Sequence, residues 1–169
     1  MKKIFFIGDT HFGDSHIIDY EQRPFENVEE MDRELINRWN SVVTDDDTIF
    51  MIGDFSLHPK EKTKEICNKL KGEKILISGN HDNNSEEYYY ECGFKNVYQY
   101  PIILEEFWMI SHKPLYLNKN MPYANIYGHV HGNEMYVDYS KQSFCACVER
   151  INYTPISWEQ IKEKMNIFS

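Results

Sequence analysis

Near the end of the sequence, His129 and His131 stand one residue apart in "YGHVHGNE", in a chain with only seven histidines. In extended backbone, side chains at i and i+2 leave on the same side. Two imidazoles placed so can grip one metal ion, or two ions lying close together. Alone, the stretch reads equally well as an exposed polar loop. Residues of the same chemical kind recur along the chain, however: Asp9 and His11 in "GDTH", Asp54 in "GDF", Asn80, His81 and Asp82 in "GNHD", and His112 in "SHK". Carboxylate, imidazole and amide oxygen together suit manganese foremost, with iron, zinc or nickel as alternatives, better than calcium. No thiolate belongs to the set.

These groups need elements to carry them, and each follows a short apolar run: Ile4 to Ile7, Ile49 to Ile52, Ile75 to Ile77, Phe107 to Ile110, and a run through Ile126 and Tyr127. Short β-branched and aromatic runs bounded by Gly, Asp and Asn predict buried strands. Between them lie helical spacings. Val28, Met31, Leu35, Ile36, Trp39 and Val42 predict one helix, with Asn27 and Glu30 as a capping box. A second is predicted from Pro59 to a stop at Gly72, and a third from Ser85 to Cys92 ending at Gly93. A last one opens on a Ser157–Gln160 capping box, with Trp158, Ile161 and Met165 on one face. The stretches "MYVDYS" and "SFCACVERINYT" read as two strands. Strand–helix alternation favours a layered α/β domain, and the helix-poor second half implies a mixed sheet or two sheets. Ligands in such folds sit beyond the carboxyl ends of the strands. Five strand ends can therefore bring the polar residues to one place.

Composition narrows the functions. A length of 169 residues implies one domain over 1–169, long enough to bury about 70% of the surface of the unfolded chain. An apolar fraction of 41% with 15% aromatics fits a packed globular protein. No apolar run can span a bilayer, and "MKKIFFIGDTH" lacks the long apolar core and cleavage site of a signal peptide, so a cytoplasmic protein is expected. With 18 basic and 27 acidic residues the net charge is −9. Without a basic stripe, binding of long nucleic acid is not expected. A small anion remains a fitting substrate if bound metal makes the site locally positive. The four cysteines, Cys67, Cys92, Cys145 and Cys147, form no C-x-x-C pair and read as small buried apolar residues.

In order, "GDTH", "GDF", "GNHD", "SHK" and "GHVH" resemble the signature of the calcineurin-like metallophosphoesterases, spanning Asp9 to His131. The resemblance implies a four-layer α-β-β-α sandwich of two mixed sheets with a dinuclear metal site at strand C-terminal ends. Carried over by motif, Asp9, His11, Asp54 and His131 would hold a first divalent ion, and Asp54, Asn80, His112 and His129 a second, with Asp54 bridging. Two divalent cations bring more charge than Asp9 and Asp54 return, so the site would attract phosphate. They would also acidify a bridging water, making hydroxide available to attack phosphorus. In the family the histidine equivalent to His81 is no ligand. It is expected to act as general acid or transition-state stabiliser, oriented and kept protonated by Asp82. The start "THFGDSHIIDYEQRPF" is similar to that of short bacterial and phage-type members, except that Asp14 stands where those often carry histidine. The signature of protein Ser/Thr phosphatases is missing, and there is too little chain for the capping domain of the DNA-repair nucleases.

Three further residues are candidates for substrate contact: Arg23 as a phosphate clamp, His16 beside the first motif, and Lys113 beside His112. Each has a bland alternative on the surface, which for His58 is the favoured one. The expected partner is a small phosphate ester, with nucleotides among the candidates. Phosphodiesters are favoured because a monoester carries one more negative charge and only Arg23 and Lys113 are available to meet it. A phosphomonoesterase and a catalytically idle metal-binding scaffold are the alternatives. The oligomeric state is not legible.

Overall fold

Two mixed sheets face one another, and alternation along each strand decides which core a side chain enters. The structure is a computed structural model that describes residues 2–118, 120–136 and 141–166. In the first sheet, β1 (Ile4–Ile7), β2 (Thr48–Met51), β3 (Glu73–Ile77) and β4 (Asn96–Tyr98) run parallel, and β9 (Ile156–Ser157) pairs antiparallel with β1, giving the order β4-β3-β2-β1-β9. The second sheet has the order β5-β6-β7-β8, from β5 (Ile102–Leu104), β6 (Trp108–Ser111), β7 (Ala124–Tyr127) and β8 (Ser143–Cys145), with only β5 antiparallel.

Phe5, Ile7, Ile49, Met51 and Leu76 point to one face of the first sheet, where they meet α2 (Val28–Val42), α3 (Lys60–Lys69) and α4 (Glu86–Cys92) through Leu35, Trp39, Ile66 and Tyr89. Phe6, Phe50, Ile52 and Ile77 point the other way, onto Trp108, Ile110, Ala124 and Ile126 of the second sheet. This is the period-two rule of strands. Each such side chain removed from water contributes about 1.5–3 kcal/mol. The second helical layer consists, among the described residues, of α5 (Trp158–Met165), which packs against β9, β1 and β8. Its Trp158 stands between the sheets, with ring centroids 6.2 Å from Phe6 and 5.9 Å from Trp108.

The caps follow the expected chemistry with one change. Ser157 and Gln160 form the reciprocal box at α5. At α2, Asn27 accepts from the Glu30 amide at 2.9 Å, but the Glu30 carboxylate accepts from Glu26 N–H at 2.7 Å, one residue further out. The helix expected up to Gly72 ends at Lys69. A six-residue helix, α1 (Ser15–Tyr20), was not expected; Asp14 caps it through the His16 amide. The strand expected over "MYVDYS" begins as a single 3-10 turn at Glu134–Tyr136, and residues 137–140 lie outside the described residues. Only Ser143–Cys145 of the following stretch is a strand, with a 3-10 turn at Val148–Arg150. No helix among the described residues is long and apolar enough to cross a membrane.

Candidate metal centre

The polar turns after β1, β2, β3, β6 and β7 gather on one edge because the parallel ladders continue into them. Asp9 N–H donates to Gly53 O at 2.9 Å and His11 N–H to Asp54 O at 3.0 Å, which locks the first two turns side by side. Gly128 N–H donates to His112 O at 2.9 Å and does the same in the second sheet. The sheets are joined there too: Gly8 N–H donates to Ala146 O at 2.7 Å and Ala146 N–H to Tyr127 O at 2.8 Å. Approach is close enough that a Cβ on Gly79 would collide with Asp54, and one on Gly128 with Asp9. Five of the turn residues sit at positive φ: Asp9 (60°), His11 (51°), Asp54 (56°), His129 (71°) and His131 (48°). Non-glycine residues there cost of order 1–3 kcal/mol each, and such strain clusters at functional sites.

Among the described residues three groups of ligand-type atoms lie within 4.8 Å of one another: Asp9–His11–His131, Asp54–His112–His129, and Glu21–His131–Glu149, which shares His131 with the first. Asp54 lies between the first two: its Oδ2 is 3.5 Å from His11 Nε2 and 3.5 Å from His112 Nε2. Asn80 Oδ1 is 2.9 Å and His129 Nδ1 3.1 Å from His112 Nε2. His112 donates its other nitrogen, Nδ1, to Ile52 O at 2.9 Å, so in the neutral ring Nε2 is a lone pair facing the Asn80 oxygen. Lone pairs converging in this way ask for a cation. Asp9 Oδ1 and His11 Nε2 are buried with no hydrogen-bond partner among the described residues. A buried polar atom left unpaired costs about 1–3 kcal/mol, and a metal ion would satisfy both. The residues present thus fit a pair of divalent ions.

The electrostatics agree. Burial pushes Asp9 well above the usual carboxylate range, the cost of an acid enclosed without its cation. Burial acts the same way on Asp54, but the His11 imidazole 3.5 Å away, the His112 charge and the His81 amide outweigh it and hold Asp54 down to about 2. Asp54 is therefore ionised at any working pH. Burial lowers His112 and His129, favouring the neutral rings that ligate metals; His112 and Lys113 add to the effect at His129.

Several supporting residues were not expected from the sequence. His11 Nδ1 lies 3.1 Å from Asp14 Oδ2, and His131 Nδ1 lies 3.1 Å from Glu149 Oε1. A carboxylate behind an imidazole fixes the tautomer and leaves Nε2 free to ligate. Asp14 thus serves the first group from behind His11. Cys147 Sγ donates to Asp9 Oδ2 at 3.3 Å, beside the His129 N–H at 2.9 Å, so Oδ1 is the atom left over. Arg23 corrects an expectation: it is no substrate clamp. Its guanidinium is fully enclosed. It donates to Asp9 O at 2.7 Å, Thr10 O at 2.8 Å and Glu149 Oε1 at 2.7 Å. Arg23 therefore ties the strained first turn to the carboxylate behind His131. Removing that charge by Glu149→Gln should weaken Mn²⁺ binding at the Asp9–His11–His131 group by roughly 10–100-fold, the usual cost of losing such support. Calorimetric titration should show the other group much less affected; equal loss at both would contradict this geometry.

Asp82 also differs from expectation. It does not orient His81. Its carboxylate accepts the amides of Asp54 at 2.7 Å, Gly79 at 2.8 Å and Phe55 at 3.1 Å, and so holds the second and third turns together. His81 gives its own backbone N–H to Asp54 Oδ1 at 2.8 Å, and its exposed ring stands edge-on to His11 at 5.2 Å between centroids. Lys113 is exposed beside His112. His16 has a side chain 97% exposed, 3.6 Å from Asp14 and on the helix after the first turn, and it is not drawn into either group. His58 is not simply solvated: its Nε2 lies 2.6 Å from Asp32 Oδ2, while Asp32 Oδ1 accepts Gly13 N–H at 3.1 Å.

Comparison with known proteins agrees with this arrangement. The chain is 36% identical over 167 residues to uncharacterized protein MJ1445 of Methanocaldococcus jannaschii, covering 95% of this chain and 90% of that one. It is 35% identical over 88 residues to the gene 66 protein of Mycobacterium phage L5, covering 48% of this chain and 41% of that one. Among solved structures it resembles the protein of unknown function AQ665 from Aquifex aeolicus, with a TM-score of 0.76, 25% identity and coverage of 97% and 100%. It shares the fold of the Pseudomonas putida nuclease MPE at a TM-score of 0.53 and 20% identity, over 76% of this chain and 61% of that one. The sequence model of the calcineurin-like phosphoesterases matches residues 2–167. With that match added to the ligand groups, the chain belongs to the calcineurin-like phosphoesterase family.

Proposed function

We propose that the protein hydrolyses small phosphodiesters with two divalent ions, manganese foremost. Asp9, His11, Asp54 and His131 would hold one ion, and Asp54, Asn80, His112 and His129 the other. When bound, such a pair supplies Lewis acidity and an acidified water as nucleophile. The observation that carries the reading is Asp54 Oδ2, midway between two imidazoles at 3.5 Å, beside Asp9 Oδ1 and His11 Nε2, which have no hydrogen-bond partner among the described residues. The protein's own part is to hold these donors in strained turns, and to present the His81 ring at the open side where a leaving group would depart.

The preference for diesters is supported by Arg23. It was one of two cations expected to meet the extra charge of a monoester, and it is enclosed elsewhere. With Mn²⁺, hydrolysis of bis-p-nitrophenyl phosphate should outpace that of p-nitrophenyl phosphate. Faster monoester turnover would reverse the assignment. Two bound metals with no turnover on a broad ester panel would leave a scaffold. No basic stripe favours long nucleic acid, so the proposed partner is a small ester.

Activity should fall on the acid side, and the limb should depend on metal. Burial disfavours the charged form of His131, but the Glu149 hydrogen bond and the Asp9 and Glu149 charges outweigh it and raise this histidine above its usual range. As pH drops through that value, protons increasingly compete with the metal for Nε2. Profiles of kcat/KM at two Mn²⁺ concentrations should show the limb moving to lower pH at the higher one. A limb indifferent to metal would belong to another group.

A further inference from the structure

A groove of about 310 Å³ opens beside the second ligand group. Asn80 and His112 form one wall, and Tyr100, Pro101, Lys113 and Leu115 much of the rest. It is built by the turn after β3, the crossover from β4 to β5 that passes between the sheets, and the turn after β6.

The walls are held from behind. Ser78 N–H donates to Tyr98 O at 2.8 Å, fixing the crossover to the third turn. Asn125 is wholly buried; it accepts Leu115 N–H at 2.9 Å and donates to Ser111 Oγ at 2.9 Å, and Ser111 Oγ donates to Lys113 O at 2.7 Å. A fully satisfied buried amide is thus spent on shaping one loop of this groove, which marks a preformed pocket.

Its lining is chemically selective. Among the described residues, no acidic side chain lines the groove. Tyr100 stands at its rim 77% exposed, on a crossover pinned at its start. Gln99, also in the lining, offers an amide that both donates and accepts. Asn80 and His112 belong to the ligand group and Ser111 Oγ is spent on Lys113 O, so what remains, the Tyr100 platform, the apolar Ile77, Pro101 and Leu115 and the polar Gln99 and Ser78, matches a flat ring with polar edges.

We propose that this groove is a subsite for the nucleobase of a nucleotide ester, with Tyr100 as its stacking surface and Lys113 toward the phosphate. The inference rests on the phosphoesterase reading and names its substrate class. The test uses the Mn²⁺-loaded protein and calorimetric binding of two phosphates of equal charge, adenosine 5′-monophosphate and ribose 5-phosphate. The nucleotide should bind about tenfold more tightly, the size of one base–aromatic contact. Tyr100→Ala, at an exposed position that should not disturb folding, should abolish that difference. Lys113→Gln should weaken both ligands alike. Equal binding of the two by the unmodified protein would overturn the subsite while leaving the hydrolase reading standing. A nucleotide preference that survives Tyr100→Ala would overturn the stacking assignment. If neither phosphate binds although both metals do, the subsite is overturned, and the diesterase reading is decided separately by turnover of bis-p-nitrophenyl phosphate.

Discussion

Asp54→Asn should weaken binding of both metal ions at once, by roughly 10²- to 4 × 10³-fold each, and kcat/KM should fall at least as far. The magnitude is that of removing one partner from a buried charge pair, about 3–5 kcal/mol at roughly tenfold per 1.4 kcal/mol. The two side chains have nearly the same shape, so the packing survives and the charge alone is lost. Asp54 uses Oδ1 for the His81 amide at 2.8 Å and presents Oδ2 to both imidazoles at 3.5 Å. If the asparagine oxygen keeps the amide, its NH₂ group faces the cations; if it faces the cations, the His81 amide loses its acceptor. Neither orientation serves both tasks. Mn²⁺ titration by calorimetry should therefore show two weakened sites. Substituting a residue of one group alone, such as His131→Asn, should weaken one. A single weakened site in Asp54→Asn would remove Asp54 from the bridging position.

The contrast between those substitutions reflects what the sequence made legible. Ligand-type residues at strand ends are readable because they obey a local rule: an apolar run stops and a polar turn begins. Asp9, Asp54, His112 and the paired histidines are all of this kind, and the structure brings them within a few ångströms. The two-sheet arrangement followed from the same runs and the family resemblance. Residues acting from behind obey no such rule. Glu149 lies in the 3-10 turn after β8, and its partnership with Arg23 spans 126 positions. Cys147 looks like any small buried residue until the Gly8–Ala146 link brings it to Asp9. Arg23 read as a free cation for the opposite reason: nothing local shows that the carbonyls of Asp9 and Thr10 need a donor. Asp82 follows His81 in sequence, and neighbours in sequence invite pairing; the fold instead spends its oxygens on three amides. The short strands β4 and β5 escaped because three residues are too few to show a period.

The same geometry makes the histidine of the third turn a cleaner probe than any ligand. His81→Gln should leave both metals bound and lower kcat by roughly 10²–10⁴-fold, the range of general acid–base catalysis. Metal retention follows from atoms the substitution does not touch: the contact to Asp54 is made by the backbone N–H, and the turn is held by Asp82. The ring itself is exposed and edge-on to His11, and the proposed reaction places the leaving oxygen on that side. If the ring donates a proton, its loss should matter most for poor leaving groups, which need that proton. Rates for a series of aryl phosphodiesters should then depend more steeply on leaving-group acidity in His81→Gln than in the unmodified protein. A uniform drop across the series would assign the ring to stabilising charge on the phosphoryl oxygens. Unchanged kcat on a poor leaving group, with both metals shown to be present, would remove His81 from the chemistry altogether.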